Sequence, residues 1–245
     1  MNTQNVERSE KAMTNEPPAT QALGILLKEK TPEELKNFAE QTAKLMTYYK
    51  GAIRELETKF HVLNDHLSLS RERNPIESIK TRLKSMKSIQ GKLQRLGKPF
   101  TPESIEENLN DVAGIRVICG YIDDVYMLAE CLLKQDDVVL IKKKDYIKDP
   151  KPNGYRSLHL IVEIPIFLSD EKRSVRAEVQ LRTIAMETWA NLEHGIRYKK
   201  MLSEKQLSEV EGKLNECAEL SFYLDYLMLE TRNIVEKECE GSEDL

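Results

Sequence analysis

From Asp145 to His159 the sequence reads Asp-Tyr-Ile-Lys-Asp-Pro-Lys-Pro-Asn-Gly-Tyr-Arg-Ser-Leu-His, and it runs directly into Leu-Ile-Val-Glu-Ile. Pro150 and Pro152 fix φ and drive the residues before them out of the helical region. Asn153-Gly154 is a turn dipeptide, and Gly154 tolerates a positive φ. Leu158, Leu160, Val162 and Ile164 then alternate with His159, Ile161 and Glu163, which is the period of a strand. A chain organised around this stretch needs a sheet with a stiff loop at the start of one strand. That loop is expected to present Lys148, Lys151, Tyr155, Arg156 and His159 together. Cations beside an aromatic ring suit a purine nucleotide, with charge for the phosphates and a ring face for the base. An ordinary polar hairpin could carry the same residues.

Two further segments alternate. In Ser78–Lys84, Ile79, Thr81 and Leu83 form one face, and Lys80, Arg82 and Lys84 the other. In Ser174–Arg182, Val175, Ala177, Val179 and Leu181 point to a core, and Arg176, Glu178, Gln180 and Arg182 point the opposite way. Glu178 therefore sits mid-strand on a polar face. It reads either as a salt-bridge partner of Arg176 or Arg182, or as a metal-binding carboxylate beside phosphates. Gly114 opens a short β-branched run that reads as a central strand, with Asp111 just before it and Arg116 within it. Val138–Ile141 reads as a strand ending in Lys142–Lys144, and Pro165 as the break after the strand that follows the loop. From Lys80 to Lys98 there are seven cations and no carboxylate.

Helices surround these strands. Thr31-Pro32-Glu33-Glu34 places Thr at the N-cap, Pro at N1 and acids in the first turn. Helical spacing follows through Phe38, Leu45, Tyr49, Ile53 and Leu56 towards Asn64, with a second piece towards Arg73. Ser85 caps a helix whose stripe is Met86, Ile89, Leu93 and Leu96, and Gly97 closes it. Thr101-Pro102-Glu103 starts another helix, and Asp123-Asp124 opens one through Leu132. Thr183 caps a helix carrying Ala185, Trp189, Leu192 and Ile196. Ser203 caps the last, where Leu207, Val210, Leu214, Cys217, Ser221, Leu224 and Met228 recur at a three-to-four spacing. That stripe needs a partner surface, and self-association is the simplest one.

The net charge of −4 argues against bulk attraction to nucleic acid or an anionic membrane. No apolar run approaches the ~20 residues that span a bilayer, and no secretory signal opens the chain, so a cytoplasmic protein is expected. Cys119, Cys131, Cys217 and Cys239 form no C-x-x-C pair and read as reduced thiols. His61, His66, His159 and His194 have no metal-ligand spacing. The expected layout is a disordered leader at 1–30, N-terminal helices at 31–74, a catalytic domain at 75–200, and an oligomerisation helix with tail at 201–245.

Taken in order, the basic strand and helix, Asp111-x-x-Gly-x-Arg, the Pro-Lys-Pro-Asn-Gly-Tyr-Arg-Ser-Leu-His run, Glu-Val-Gln-Leu-Arg-Thr and Trp-Ala-x-Leu-Glu-His resemble the synthetase domain of the RelA/SpoT family, the (p)ppGpp synthetases. The resemblance spans roughly residues 75 to 200. The family's His-Asp hydrolase motif is not found, and size and flanking helices are most similar to the small stand-alone synthetases of the RelQ type. The resemblance implies an α+β, nucleotidyltransferase-like fold: a mixed sheet with helices around it. It implies transfer of the β,γ-pyrophosphoryl group of ATP to the 3′-OH of GTP or GDP, with release of AMP and with Mg²⁺ as cofactor. By the same resemblance Arg82 and Arg116 sandwich the adenine, and Lys84, Lys92 and Arg95 hold the ATP phosphates. Asp111 and Glu178 bind the metal, and Glu178 positions or deprotonates the acceptor hydroxyl. Tyr155 stacks on guanine, Lys144, Lys151 and His159 hold the acceptor's phosphates, and Gln180 and Glu193 support the site. Lys144 stands where relatives often carry Arg, and Glu187 where they often carry Asp or Asn. The resemblance further implies a homotetramer, and raises binding of pppGpp between subunits and of single-stranded RNA. A single-stranded RNA-binding regulatory oligomer, following its basic segments along a phosphate backbone, is the alternative function.

Overall fold

The computed structural model describes residues 31–71, 73–198 and 203–240. The expected leader at 1–30, the last residues of the tail and residues 199–202 lie outside them. The described residues divide into two compact units, those within 31–47 and 84–109, and those within 48–83 and 110–240.

Helix α1, Pro32–Arg71, starts in the first unit and ends in the second. Thr31 and Glu34 cap it reciprocally: the Glu34 amide donates to Thr31 Oγ1 at 3.3 Å and the Thr31 amide donates to Glu34 Oε2 at 2.7 Å. It is a single helix throughout, so the second piece expected after Asn64 is its continuation.

In the first unit, α2 (Met86–Arg95) is capped by Ser85, whose side chain accepts from the Ser88 amide. Gly97 ends it at φ +65°, with its own amide donating to Gln94 and that of Lys98 to Leu93. Ile89 and Leu93 are fully buried. Leu96, expected in the same stripe, is half exposed, because it is the C-cap and the helical face ends there. Thr101 caps α3 (Pro102–Asn108), and Phe38 and Phe100 pack ring to ring at 5.4 Å.

The second unit holds a five-stranded sheet in the order β1-β2-β5-β4-β3. Its strands are β1 (Ile76–Leu83), β2 (Ala113–Cys119), β3 (Val139–Asp145), β4 (Leu158–Phe167) and β5 (Lys172–Thr183). Only the β2–β5 pair is parallel; the others are antiparallel. The mixed sheet with helices around it is the expected α+β fold. Along β5, Val175, Ala177, Val179 and Leu181 are buried, as their alternation requires. Lys142–Lys144 belong to β3 itself, an exposed edge strand. Pro165 does not end β4, which continues to Phe167. The register explains this: β3 runs out opposite Glu163, so beyond it β4 pairs with β5 alone, and a missing N–H towards the other side breaks no ladder bond.

Helix α4 (Ile122–Leu133) follows β2, α5 (Ile184–Tyr198) follows β5, and α6 (Glu204–Glu240) closes the unit. Trp189 of α5 donates its indole N–H to the Leu214 carbonyl at 2.9 Å. Arg232 pairs with Asp123, Arg73 pairs with Asp124, and both guanidinium groups lie over the Tyr121 ring. The contacts of Leu214 and Arg232 fix α6 against α5 and α4 at two points along its length. Among the described residues no helix is long and apolar enough to cross a membrane.

Thr183 joins β5, α5 and α6. Its hydroxyl accepts from the Met186 amide, capping α5, and donates to Asp225 Oδ2 of α6 at 2.7 Å. Burial pushes the Asp225 carboxyl up to about 6, against the pull of Thr183 and Arg156. The raised value means that the folded chain holds a proton there that the unfolded chain releases near pH 4. Stability contributed by that proton is complete below about pH 4 and is lost as pH rises towards 6. Asp225→Asn keeps an acceptor for Thr183 and removes the buried charge. Thermal melts from pH 4 to 8 should show the variant gaining on the parent through that window, reaching on the order of 2 kcal/mol at pH 7.5. A difference that does not change with pH would contradict the assignment.

Candidate active site

Strand register brings the polar residues of five separate segments into line. Lys80, Arg116, Gln180, His159 and Lys144 pair successively across β1, β2, β5, β4 and β3. Directly paired residues share a face, so these side chains form one row. One step along, Arg82, Gly114, Glu178, Ile161 and Lys142 form a second row. Glu178 thus occupies the centre of the sheet with cationic residues on both flanks. Asp111 lies two residues before β2, and its negative charge is felt at Glu178.

Glu178 makes neither of the salt bridges open to it on sequence grounds. Arg176 pairs with Glu163 at 3.7 Å and Arg182 with Glu187 at 2.9 Å. Instead, Glu178 Oε1 meets His159 Nδ1 at 3.0 Å, and Glu178 Oε2 accepts from Gln180 Nε2 at 3.0 Å. Burial pushes the Glu178 carboxyl up, and Asp111 adds to that. The bonds to His159 and Gln180 outweigh both and hold it below its ordinary value. The carboxylate is therefore ionised and can only accept hydrogen bonds.

That fact orients its neighbours. His159 Nε2 lies 2.8 Å from the Tyr155 hydroxyl, which also accepts from Arg182 Nη2. Arg182 can only donate, and Glu178 can only accept. Every group is satisfied if Arg182 donates to Tyr155, Tyr155 to His159 Nε2, and His159 through Nδ1–H to Glu178. Gln180 completes a second path, accepting from Arg116 Nε at 3.3 Å and from Arg182 Nη2 at 3.1 Å while donating to Glu178.

The loop before β4 is built as its prolines and Asn-Gly pair dictate. Asp145 Oδ1 accepts from the Ile147 and Lys148 amides and from Tyr126 Oη, fixing the loop's entry. Asn153 Oδ1 accepts from the Tyr155 amide, and Gly154 has φ +83°. Lys151 lies over the Tyr155 ring and the Tyr146 ring, each at 4.6 Å. Arg156 does not join the cluster expected of it. It is buried against α6, donating to the Ala218 carbonyl at 2.8 Å and lying over Phe222, so its role is to dock the loop. Lys148 turns to the Tyr126 ring. Glu193 accepts from Asn153 Nδ2 at 3.3 Å and so steadies the turn. Lys144 and Arg82 are exposed on the two edge strands.

Lys84, Lys92 and Arg95 belong to the other unit, with Lys92 and Arg95 in the last turn of α2. Their spacing of three puts them on neighbouring positions of one helix face.

Two residues to which the sequence patterns give no site role lie at the centre of this arrangement. Arg182, on the same strand face as Glu178 and Gln180, is almost fully buried and touches Tyr155, Gln180, Ser157 and Glu187. Glu187 accepts from Lys80 at 2.9 Å, Arg116 at 3.1 Å, Arg182 at 2.9 Å and Asn191 at 3.1 Å. Burial pushes its carboxyl up, but Lys80, Arg116, Asn191 and Arg182 together hold it at about 2. The alternation of β5 had already put Arg182 on the polar face. No local pattern marks Glu187, because its partners come from three strands.

A sheet face that sets an ionised carboxylate among rows of arginine and lysine, with an aromatic ring on the adjoining loop, suits the proteins that handle phosphorylated nucleotides. Which of them follows from comparison: the family model described as "Region found in RelA / SpoT proteins" matches residues 81–203, and the chain belongs to that family. It is 43% identical over 197 residues to the GTP pyrophosphokinase YwaC of Bacillus subtilis, covering 80% of this chain and 93% of that protein. The GTP pyrophosphokinase YjbM of the same organism is 31% identical over 198 residues, covering 81% and 92%. Among solved structures, small alarmone synthetase 2 from B. subtilis superposes with a TM-score of 0.68 at 43% identity, covering 77% of this chain and 97% of that one. Small alarmone synthetase 1 from B. subtilis, bound to its product pppGpp, gives 0.70 at 33% identity, covering 80% and 99%.

Proposed function

We propose that this protein is a GTP pyrophosphokinase that moves the β,γ-pyrophosphoryl group of ATP to the 3′-OH of GTP or GDP and releases AMP. The observation that carries this reading is Glu178: an ionised carboxylate at the middle of the sheet, anchored by His159 and Gln180, with Asp111 beside it and cations to either side. The named relatives are GTP pyrophosphokinases, and the chain spans nearly their whole length.

The chemistry asks for what these residues offer. Two polyanions must approach, and their repulsion has to be offset by cations in a partly water-excluded site. Arg82 and Arg116 would take the adenine between planar guanidinium groups. Lys84, Lys92 and Arg95 would hold the donor's phosphates. Tyr155 would receive the guanine on its ring, the face over which Lys151 now lies. Lys144 and Lys151 would hold the acceptor's phosphates. His159 would serve there too, although both its ring nitrogens are engaged by Glu178 and Tyr155. Glu178 would accept the proton of the 3′-OH as its oxygen forms a bond to the β-phosphorus. The bond from that phosphorus to the α-phosphate's bridging oxygen breaks, and AMP leaves with the electron pair.

Two neighbouring carboxylates, one of them held ionised, suit Mg²⁺, which binds through one or two carboxylates plus substrate phosphate oxygens. Asp111 and Glu178 would hold that ion, whose contribution is to neutralise charge on the phosphates. Self-association, as a homotetramer, fits the second unit's surface. A groove of about 560 Å³ between α5 and α6 is lined by Leu192, Ile196, Leu220, Leu224 and Met228 among others, all exposed apolar side chains.

The test is incubation with ATP, Mg²⁺ and either GTP or GDP, followed by separation of the products. AMP and a guanosine nucleotide carrying a 3′-pyrophosphate should appear in equal amounts. Release of pyrophosphate in place of AMP would make the protein a nucleotidyltransferase, and absence of both would dismiss the reading.

A further inference from the structure

The contacts of Glu187 close a circuit. Arg116 and Arg182 are both held by this one carboxylate, and both donate into the hydrogen bonds that reach Glu178, Arg182 through Tyr155 and Gln180 and Arg116 through Gln180. From Arg182 the donors run through Tyr155 and His159 to Glu178 Oε1. From Arg116 they run through Gln180 to Glu178 Oε2. We infer that Glu187 and Arg182 are positioning residues for the transfer reaction. Glu187 fixes the two arginines from which the donor paths start, and so sets the orientation of the Glu178 carboxylate without touching it. The inference rests on the proposed function for its catalytic consequence, and on the circuit alone for its structural one.

Geometry and charge both support this. Arg182 is only 4% exposed, and its placement between Glu187, Tyr155, Gln180 and Ser157 leaves it one arrangement. A buried guanidinium needs a carboxylate partner, which Glu187 supplies. Each path runs from a cation through neutral groups to an anion, so successive bonds polarise one another in the same sense. Glu178 then presents oxygens whose inner lone pairs are already engaged. Such pre-set orientation matters because a group misplaced by about 1 Å can cost about a hundredfold in rate. The circuit also joins the arginine assigned to the donor base with the tyrosine assigned to the acceptor base. Neither Glu187 nor Arg182 need touch a substrate to act on both.

Two changes open the circuit at different points. Glu187→Gln removes the carboxylate, and Tyr155→Phe removes only the hydroxyl, keeping the ring for stacking. Each should lower kcat about tenfold to a hundredfold, with KM for either nucleotide changing much less. Because both break one circuit, the double variant should be no worse than the poorer single variant by more than about twofold. Glu187→Asp, which keeps the charge, should recover part of the loss. Thermal melts identify any variant that fails to fold.

A second readout needs no substrate. The chain has four histidines, few enough to assign their ring nitrogens by ¹⁵N NMR. In the parent, His159 should carry its proton on Nδ1. In Glu187→Gln that preference should weaken towards a mixture of tautomers, although residue 187 does not touch the ring. An unchanged His159 spectrum in Glu187→Gln overturns the inference, and so do kcat losses that multiply in the double variant. Failure of the parent to release AMP would instead strike the proposed function, and the spectrum would still decide this one.

Discussion

Glu178→Gln should lower turnover by about 10²–10⁴, the range attributed to a positioned general acid or base, while the chain stays folded. The substitution is nearly isosteric, and its consequence follows from the partners already in place. A glutamine oxygen can still accept from His159 Nδ1. Its amide nitrogen then faces Gln180 Nε2, so two donors meet where the native pair has donor and acceptor. Gln180 cannot relieve this by flipping, because its own oxygen accepts from Arg116 and Arg182, which only donate. One hydrogen bond is lost, at about 1–3 kcal/mol. That is compatible with a folded protein and can be checked by a thermal melt. The loss of rate has a different origin: the neutral amide cannot take a proton from the 3′-OH, and Asp111 is left as the only carboxylate of the pair. Turnover within a few-fold of the parent, in a variant that melts normally, would remove Glu178 from the reaction.

The same residues show how far sequence patterning reaches into this site. Alternation along β5 was enough to place Glu178, Gln180 and Arg182 on one face, because a period of two admits no other arrangement once Val175, Ala177, Val179 and Leu181 are buried. It could not say which strand would lie beside them. The rows that put Arg116 opposite Gln180, and His159 on its other side, depend on a parallel β2–β5 pairing between segments some sixty residues apart. Long-range pairing of that kind leaves no local mark. Arg156 illustrates the opposite limit. Its place in a basic loop argued for a phosphate contact, yet the decisive neighbour, the Ala218 carbonyl, lies on a helix far along the chain. Pro165 failed as a strand end for a related reason: whether a proline is tolerated depends on what lies beside it, and β3 had already run out. Caps, by contrast, are contained within four residues. Thr31, Ser85, Thr101 and Thr183 were all legible, and each side chain accepts from the amide three residues on.

Gly154→Ala is expected to destabilise the protein by about 2–5 kcal/mol and to weaken binding of the acceptor nucleotide more than that of ATP. Two separable effects add. The backbone at Gly154 has φ +83°, a left-handed conformation that costs a residue with a Cβ about 1–2 kcal/mol. A Cβ placed there would also lie 2.5 Å from Ala218 Cβ of α6, well inside contact distance, so loop or helix must shift. Ala218 is 1% exposed, and its carbonyl holds Arg156, so neither side gives way without loosening the loop that carries Tyr155. Gly97 supplies the comparison. It has φ +65° and no atom within 4 Å of an added Cβ, so Gly97→Ala should cost the conformational part alone. Ala218→Gly removes the obstructing methyl. In that background the cost of Gly154→Ala should fall to about that of Gly97→Ala, even though Ala218→Gly itself weakens α6 by about 1 kcal/mol. Chemical denaturation of the four proteins of this cycle measures the coupling directly. A cost that is the same with Ala or Gly at position 218 would mean that the loop does not press on the helix, and that the docking of the acceptor loop rests on Arg156 instead.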